Sequence, residues 1–361
     1  MREPPERPCT RRSVLCAGVS LALLSCGLET TLAEPKATAP AKARLDVRRH
    51  GARGDGRSDD TQALQRTIDA LPAEGGTVVV PAGSYLIDAL RSVHLRSAMR
   101  LELDPDARLV AMPNAVERAY VLSAFGVSDL DIVGGQIIGE RDRHRGDSGE
   151  WGHGLAIRGC KRVHVQGLKV SRCWGDGISV GAERRKGVPQ PSTDVVLAGV
   201  SCQGNRRQGL TIGRAQRVRV LDSAFLDTSG TAPACGIDIE PDTTGGARDI
   251  RIERCLVKGN RGGGIELQRR ASDVRISDCR ILDNGGYGVL FASAEDCRAI
   301  GNLLAGNAQR GIVVRKAAQR IRVEGNRFSN NGPARHAGAR WRHLDIASGA
   351  TAISNVANRF D

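Results

Sequence analysis

The sequence predicts an all-β fold: one right-handed parallel β-helix, with a short helix capping its N-terminal end. Three observations point there. Seven segments repeat a Gly-apolar-x-apolar pattern: HGLAI (153–157), DGISV (176–180), QGLTI (208–212), CGIDI (235–239), GGIEL (263–267), YGVLF (287–291) and RGIVV (310–314). Their glycines lie 23, 32, 27, 28, 24 and 23 residues apart, the spacing of a solenoid of short strands. Most are preceded by a second alternating stretch, such as RVHVQGLKV, DVRISDCRI or RIRVEGNRF; a period of two buries one face of a strand. The 361 residues include 44 glycines but only 11 aromatic Phe, Trp and Tyr. That composition suits a chain that turns often and disfavours an aromatic-centred globule. Leucine-rich repeats share the period, but their fixed Leu/Asn pattern is missing.

Residues 1–33 read as an export signal. Arg11-Arg12 precedes the apolar run 14–24, which is too short to span a bilayer as a helix. A twin arginine before such a run reads as a Tat-type signal. Thr31-Leu32-Ala33 offers a cleavage site, and Leu23-Leu24-Ser25-Cys26 an alternative lipoprotein box. Residues 34–45 read as a linker and 46–361 as the β-helix domain. The expected location is periplasmic or secreted, with the Tat machinery as export partner and no membrane span. Asp59-Asp60 followed by TQALQRTIDAL reads as a capped amphipathic helix, with Leu64, Ile68 and Leu71 on one face. It is placed over the N-terminal end, because an exposed end coil needs a cap.

About a dozen coils fit the remaining length, and equivalent positions then stack in columns about 4.8 Å apart. Cys255, Cys279, Asn302 and Asn326 fall in one such column. Seven cysteines lie outside the signal: Cys160, Cys173, Cys202, Cys235, Cys255, Cys279 and Cys297. An odd count without CxxC or Cys/His spacing argues against disulfides and zinc, and for buried small hydrophobes. The formal net charge of +13 suits an anionic partner. No block of five or more basic residues marks a nucleic-acid arm, so an acidic polysaccharide is the expected partner and nucleic acid is not.

Residues 46–87 carry GARGDGRSDDTQALQ, GGTVVVPAG and Tyr85. This run resembles the opening of the pectate lyase-like superfamily, and more narrowly the rhamnogalacturonase/epimerase-type "pectate lyase 3" domain. Residues 153–330 resemble the β-helix repeats that follow it. The resemblance implies a carbohydrate-active solenoid: a hydrolase, lyase or C5-epimerase of uronic-acid polymers. It does not choose among them, since fold does not fix function.

The middle position of each repeat reads Ala156, Ser179, Thr211, Asp238, Glu266, Leu290, Val313 and is expected to point outward. Asp238 and Glu266 are then abreast, and Glu240 lies about 6.8 Å further along the same face. Like charges this close push at least one pKa up, and an acid beside a base is what glycosidic cleavage needs. His153 and Asp176 stack on adjacent coils. DGISV and GHGLAI resemble polygalacturonase segments that carry an aspartate and a histidine, here in reversed order. Arg206-Arg207-Gln208 stand where that family has paired aspartates. CGIDIE resembles the YGFDPH motif of mannuronan epimerases and lyases, with Cys235 and Glu240 replacing its tyrosine and histidine.

Insertions at 139–151, 181–194, 226–234 and 241–248 are expected to wall a groove over the coils of 150–290. They and their neighbours supply candidate substrate contacts: Trp151, Trp174, Arg184, Arg185, Lys186, Arg206, Arg207, Gln208 and Tyr287. No metal motif is visible, although a carboxylate patch can hold Ca²⁺. The expected activity is hydrolysis of an acidic polysaccharide, with Asp238, Glu240, Glu266, Asp176 and His153 as catalytic candidates. One rival is a lyase or C5-epimerase, with Arg206 or Arg207 neutralising the uronate and His153 or Tyr287 moving the proton. The other is a non-catalytic carbohydrate-binding solenoid.

Overall fold

A computed structural model describes residues 43–241, 245–333 and 340–361. The expected signal, its Cys26 and all of the linker up to residue 42 lie outside the described residues. The first strand, Arg44–Asp46, starts two residues before the expected domain boundary. From there the chain winds as a parallel β-helix with three sheets of 12, 12 and 10 strands. The first sheet runs from Arg44–Asp46 to Ser354–Val356, the second from Asp55–Asp59 to Arg359–Phe360, and the third from Val93–His94 to Leu344–Ile346.

The Gly-apolar-x-apolar segments form the third sheet. The stretches read as one further strand per coil are in fact two. RVHVQGLKV divides into Lys161–Gln166 and Lys169–Ser171, with a corner at Gly167, φ 66°. The same left-handed corner recurs at Gly199, Asp222, Arg254, Asp278, Gly301 and Gly325. A second left-handed column, Arg172, Gly204, Asp227, Gly259, Asp283, Gly306 and Asn330, follows the second-sheet strands. A third, from Asp129 through Arg162, Asp194, Arg217, Asp249, Asp273 and Asp296 to Arg320, opens the first-sheet strands. Gly, Asn and Asp tolerate this conformation best. The arginines in these columns are bonded to aspartates of neighbouring coils: Arg162 to Asp129 at 2.6 Å, Arg217 to Asp194 at 2.6 Å and Arg254 to Asp222 at 2.7 Å.

The interior is a continuous stack of Val, Ile and Leu, with Tyr85, Phe225, Phe291 and Phe328 its bulkiest fully buried members. The repeat glycines are required by close approach. A Cβ on Gly154, Gly177, Gly209, Gly236, Gly264 or Gly288 would come within 2.5–2.9 Å of the next glycine's carbonyl oxygen. The expected Cys/Asn column is real. The Cys279 N–H donates to Asn302 Oδ1 and the Asn302 N–H to Asn326 Oδ1, both at 2.9 Å. A second ladder, Asn260, Asn284, Asn307 and Asn331, stands beside the third sheet. All seven described cysteines are free and buried.

The N-terminal helix spans Thr61–Asp69, buries Ala63, Leu64, Thr67 and Ile68, and packs on the turn Val47–His50. Leu71 is buried just past its end. Asp60 does not cap it; its carboxylate accepts the N–H groups of Arg53 and Gly54 at 2.7 and 3.0 Å. Asp59 accepts the Thr61 N–H instead, at 3.0 Å. No helix of the described residues is long and apolar enough to cross a membrane.

Candidate carboxylate site on the third sheet

Parallel pairing sets Thr211, Asp238 and Glu266 abreast on three successive strands, as the repeat predicts. Their surroundings differ from the expectation of an open outward face. Asp238 alternates with core Ile237 and Ile239, so it faces away from the core, yet it is only 1% exposed. Gln208 donates its amide to Asp238 Oδ2 at 3.0 Å and accepts the Cys235 N–H at 2.9 Å. Asp238 Oδ1 is buried without a hydrogen-bond partner.

The hub of the site is Arg207, in the turn before the strand Leu210–Ile212. Backbone bonds from Arg206 to the Cys173 carbonyl and from Arg207 to the Gly175 carbonyl fix that turn. The guanidinium reaches three carboxylates: Glu240 through Nη2 at 2.7 Å, Glu150 through Nε at 3.1 Å and Asp176 through Nη1 at 3.3 Å. Asp176 is buried, and its N–H donates to His153 Nδ1 at 3.0 Å. That bond makes Nδ1 an acceptor and leaves the ring proton on Nε2. Glu266 accepts from Gln268 at 3.4 Å and lies against the Cys235 thiol.

Burial pushes Asp238 well above the usual carboxylate range, and Glu240 and Glu266 add repulsion. Burial also raises Glu240, Glu266 and Asp176, with Arg207 opposing it at Glu240 and Asp176. His153 is held well below its ordinary value, first by burial and then by Arg158, Arg207 and Arg118, so it stays neutral. Burial works against the charge of Arg207, but Asp176, Glu240 and Glu150 outweigh it. Arg207 thus supports the charged form of Glu240, while Asp238, without such a partner bonded to it, holds its proton more strongly.

The structure gathers Asp176, Asp238, Glu240, Glu266, His153, Arg207 and Gln208 into this cluster. Other candidates fall elsewhere. Trp174 lies within 3.9 Å of the His144 ring and 3.8 Å of the Arg206 guanidinium. Two such neighbours must occupy opposite faces, so Trp174 is not a free platform for a sugar. Arg206 also bonds the Gly149 carbonyl at 2.7 Å and Trp174 that of Ser148 at 3.2 Å. Both residues anchor the insertion 139–151 rather than face a groove. Arg184, Arg185 and Lys186 sit on a hairpin, Glu183–Arg185 against Val188–Gln190. Arg185 bonds Glu183 and the Gly126 carbonyl, and Arg184 the Gly187 carbonyl, so these cations do not join the cluster. Trp151 stays 38% exposed, with Arg118 4.9 Å over its ring. Tyr287 accepts a bond from Arg315 at 2.7 Å.

Two residues of the site escaped the sequence reading. Glu150 is one. Arg158 is the other, half-buried along the same sheet with its guanidinium on Ser179 Oγ and the Ser179 carbonyl, each at 2.8 Å. Its signal was the room left by Gly181, its partner in register on the next strand. Among the described residues no group of three or more His, Cys, Asp or Glu side chains is arranged to hold a metal ion. Glu240, Glu150 and Asp176 surround the Arg207 guanidinium instead.

Comparison with known proteins agrees with this architecture. Residues 45–101 match the family "Rhamnogalacturonase A/epimerase, pectate lyase-like", and residues 235–346 match "Right handed beta helix region". The chain is a right-handed β-helix of the pectate lyase-like superfamily. It is 32% identical to the uncharacterized protein YclG of Bacillus subtilis, over 78% of this chain and 51% of that one. It spans about half the length, or less, of the first curated relatives it matches. Among solved structures, the A-module of the Azotobacter vinelandii mannuronan C-5 epimerase AlgE4 superposes with a TM-score of 0.63 at 18% identity, covering 88% of this chain and 97% of that one. The Streptococcus pneumoniae surface protein and adhesin PfbA gives 0.59 at 17% identity, covering 88% and 97%. These likenesses show the fold. The relatives include enzymes as well as phage appendages and adhesins.

Proposed function

We propose that the chain hydrolyses glycosidic bonds in an acidic, uronate-containing polysaccharide, with its centre at the third-sheet cluster. The observation that supports this most is Asp238: buried, proton-holding, with an unpartnered Oδ1, beside a carboxylate whose charge Arg207 holds. Asp238 acts as the general acid on the glycosidic oxygen. Glu240 acts as the base or nucleophile, and Arg207 attracts the polymer's carboxylate. His153, being neutral, orients Asp176 through its backbone rather than carrying charge.

A polysaccharide panel read for new reducing ends tests this reading. Asp238→Asn and Glu240→Gln should each cost about 10²-fold or more in rate. Asp249→Asn should stay near wild type, because Asp249 belongs to a corner column and pairs with Arg219 and Arg251. Unchanged rates in both cluster variants would overturn the reading.

The AlgE4 likeness favours a second reading, a lyase or C5-epimerase. It would give an unsaturated product or an inverted C5 centre instead of hydrolysis. Glycan binding that ignores carboxylate-to-amide changes would instead identify a non-catalytic solenoid. We also propose export by the Tat route to the periplasm or beyond. Replacing Arg11-Arg12 by Lys-Lys should leave folded precursor in the cytoplasm, and normal export of that variant would refute it.

A further inference from the structure

Arg207 offers one guanidinium to three carboxylates, and these are not equivalent. Asp176 is buried beneath it. Glu240 follows the strand Ile237–Ile239 that carries Asp238 and makes the shortest bond, 2.7 Å. Glu150 is different. It is the penultimate residue of the insertion 139–151, its side chain is as exposed as that of Glu240, and it makes the longer bond, to Nε at 3.1 Å. Its loop stays pinned through Gly149 and Ser148. Rotation of the Glu150 side chain alone would therefore release Nε of Arg207 without moving the loop.

We propose that Glu150 occupies, in the free protein, the place of a substrate carboxylate on Arg207, making Arg207 the residue that selects uronates and Glu150 its exchangeable occupant. The inference rests on the reading that this site takes an acidic polysaccharide. Replacing one carboxylate by another leaves the charge count around Arg207 unchanged, so a uronate docks without stranding a buried charge. A neutral sugar offers nothing to replace Glu150 and gains nothing from Arg207. The internal occupant lowers the apparent affinity by the fraction of molecules in which it sits on Arg207.

The test is calorimetric binding of galacturonate, mannuronate and guluronate hexamers, and of an uncharged gluco-hexamer, to the wild-type protein and to Glu150→Ala and Glu150→Gln. Glu150→Ala should bind at least one uronate hexamer about tenfold more tightly, as expected when a competing state is removed. Glu150→Gln should fall between, and neither variant should alter affinity for the uncharged hexamer. A purely structural Glu150 would lower the melting temperature of the variants without tightening uronate binding. The proposal is overturned if uronate affinity is unchanged or weaker in Glu150→Ala, if charged and uncharged hexamers tighten alike, or if neither protein binds any uronate hexamer. All three proteins are titrated with Asp238→Asn in the background so that no turnover adds heat, and tighter uronate binding there, with no new reducing ends from the proteins that keep Asp238, would keep this inference and remove the hydrolase reading.

Discussion

At the residue scale the site sets a pH dependence whose sign follows from burial. Carboxylates of the unfolded chain release their protons near 4. Asp238, Glu240, Glu266 and Asp176 all hold theirs to higher pH when folded. The folded state then binds more protons than the unfolded one above pH ~4, so stability falls as pH rises through the raised values. His153 works the other way. The unfolded imidazole takes up a proton below about 6.5 and the buried one does not, so its contribution is lost as pH falls. Asp238→Asn removes the largest carboxylate cost and keeps an acceptor for Gln208. Its melting temperature should exceed that of the wild type at pH 8, with the gap closing towards pH 4. Thermal denaturation across that range checks it, and a wild type more stable at pH 8 would contradict it. The sequence showed that Asp238 and Glu266 are abreast, because a period-two strand in a repeat determines register. It did not show that Asp238 is covered or that Arg207 joins three carboxylates. Those facts depend on where turn side chains fold back, which the spacing of glycines leaves open.

At the level of the element, the corners do what the sequence reading assigned to one longer strand. Apolar alternation in DVRISDCRI slips by one place, from Val274 and Ile276 to Cys279 and Ile281, and that slip at Ser277-Asp278 marks the corner at Asp278, φ 55°, which a reading of one continuous strand passes over. The conformation, not a hydrophobic contact, makes the corner. Asp278→Gly should therefore leave stability within about 0.5 kcal/mol of wild type, while Asp278→Val should cost about 1–2 kcal/mol. Urea unfolding of the two variants decides between this and a corner held by side-chain bonds, in which both would destabilise alike. The first Asn ladder was legible because Cys255, Cys279, Asn302 and Asn326 keep the repeat spacing. The second went unseen, although the Asn residues of GN, DN and NN pairs carry it, because those pairs also read as ordinary turns.

For the molecule as a whole, each strand of the three long sheets pairs only with its equivalents one coil before and one coil after. Stability is then a sum of coil and interface terms, and opening starts where a coil has one neighbour. Amide exchange should be slowest in the third-sheet strands between Ile178–Gly181 and Ile265–Leu267. Protection should fall towards Leu344–Ile346, whose three residues are all only half-buried. Hydrogen-exchange mass spectrometry resolves this gradient, and equal protection along the axis would contradict it. The architecture was almost wholly legible from repeat spacing and the opening motif. The third carboxylate on Arg207 was not, because Glu150 comes from the insertion 139–151, and insertions carry no period.

The stacked glycines give the molecule something like a reading frame. A whole coil added or removed would keep every pairing register, whereas a one-residue slip along a strand would turn its apolar side chains to the wrong face. The carboxylate cluster reads that frame too, since consecutive coils supply its members in order. An extra coil between Ile212 and Ile237 would part Arg207 from Glu240 by about one strand spacing, ~4.8 Å, and dissolve their bond. The same insertion after Phe291 would lengthen the solenoid and leave the cluster whole. Chemistry on this scaffold is thus a matter of coil order, and lineages could lengthen it at one end while guarding the sequence of coils at its centre.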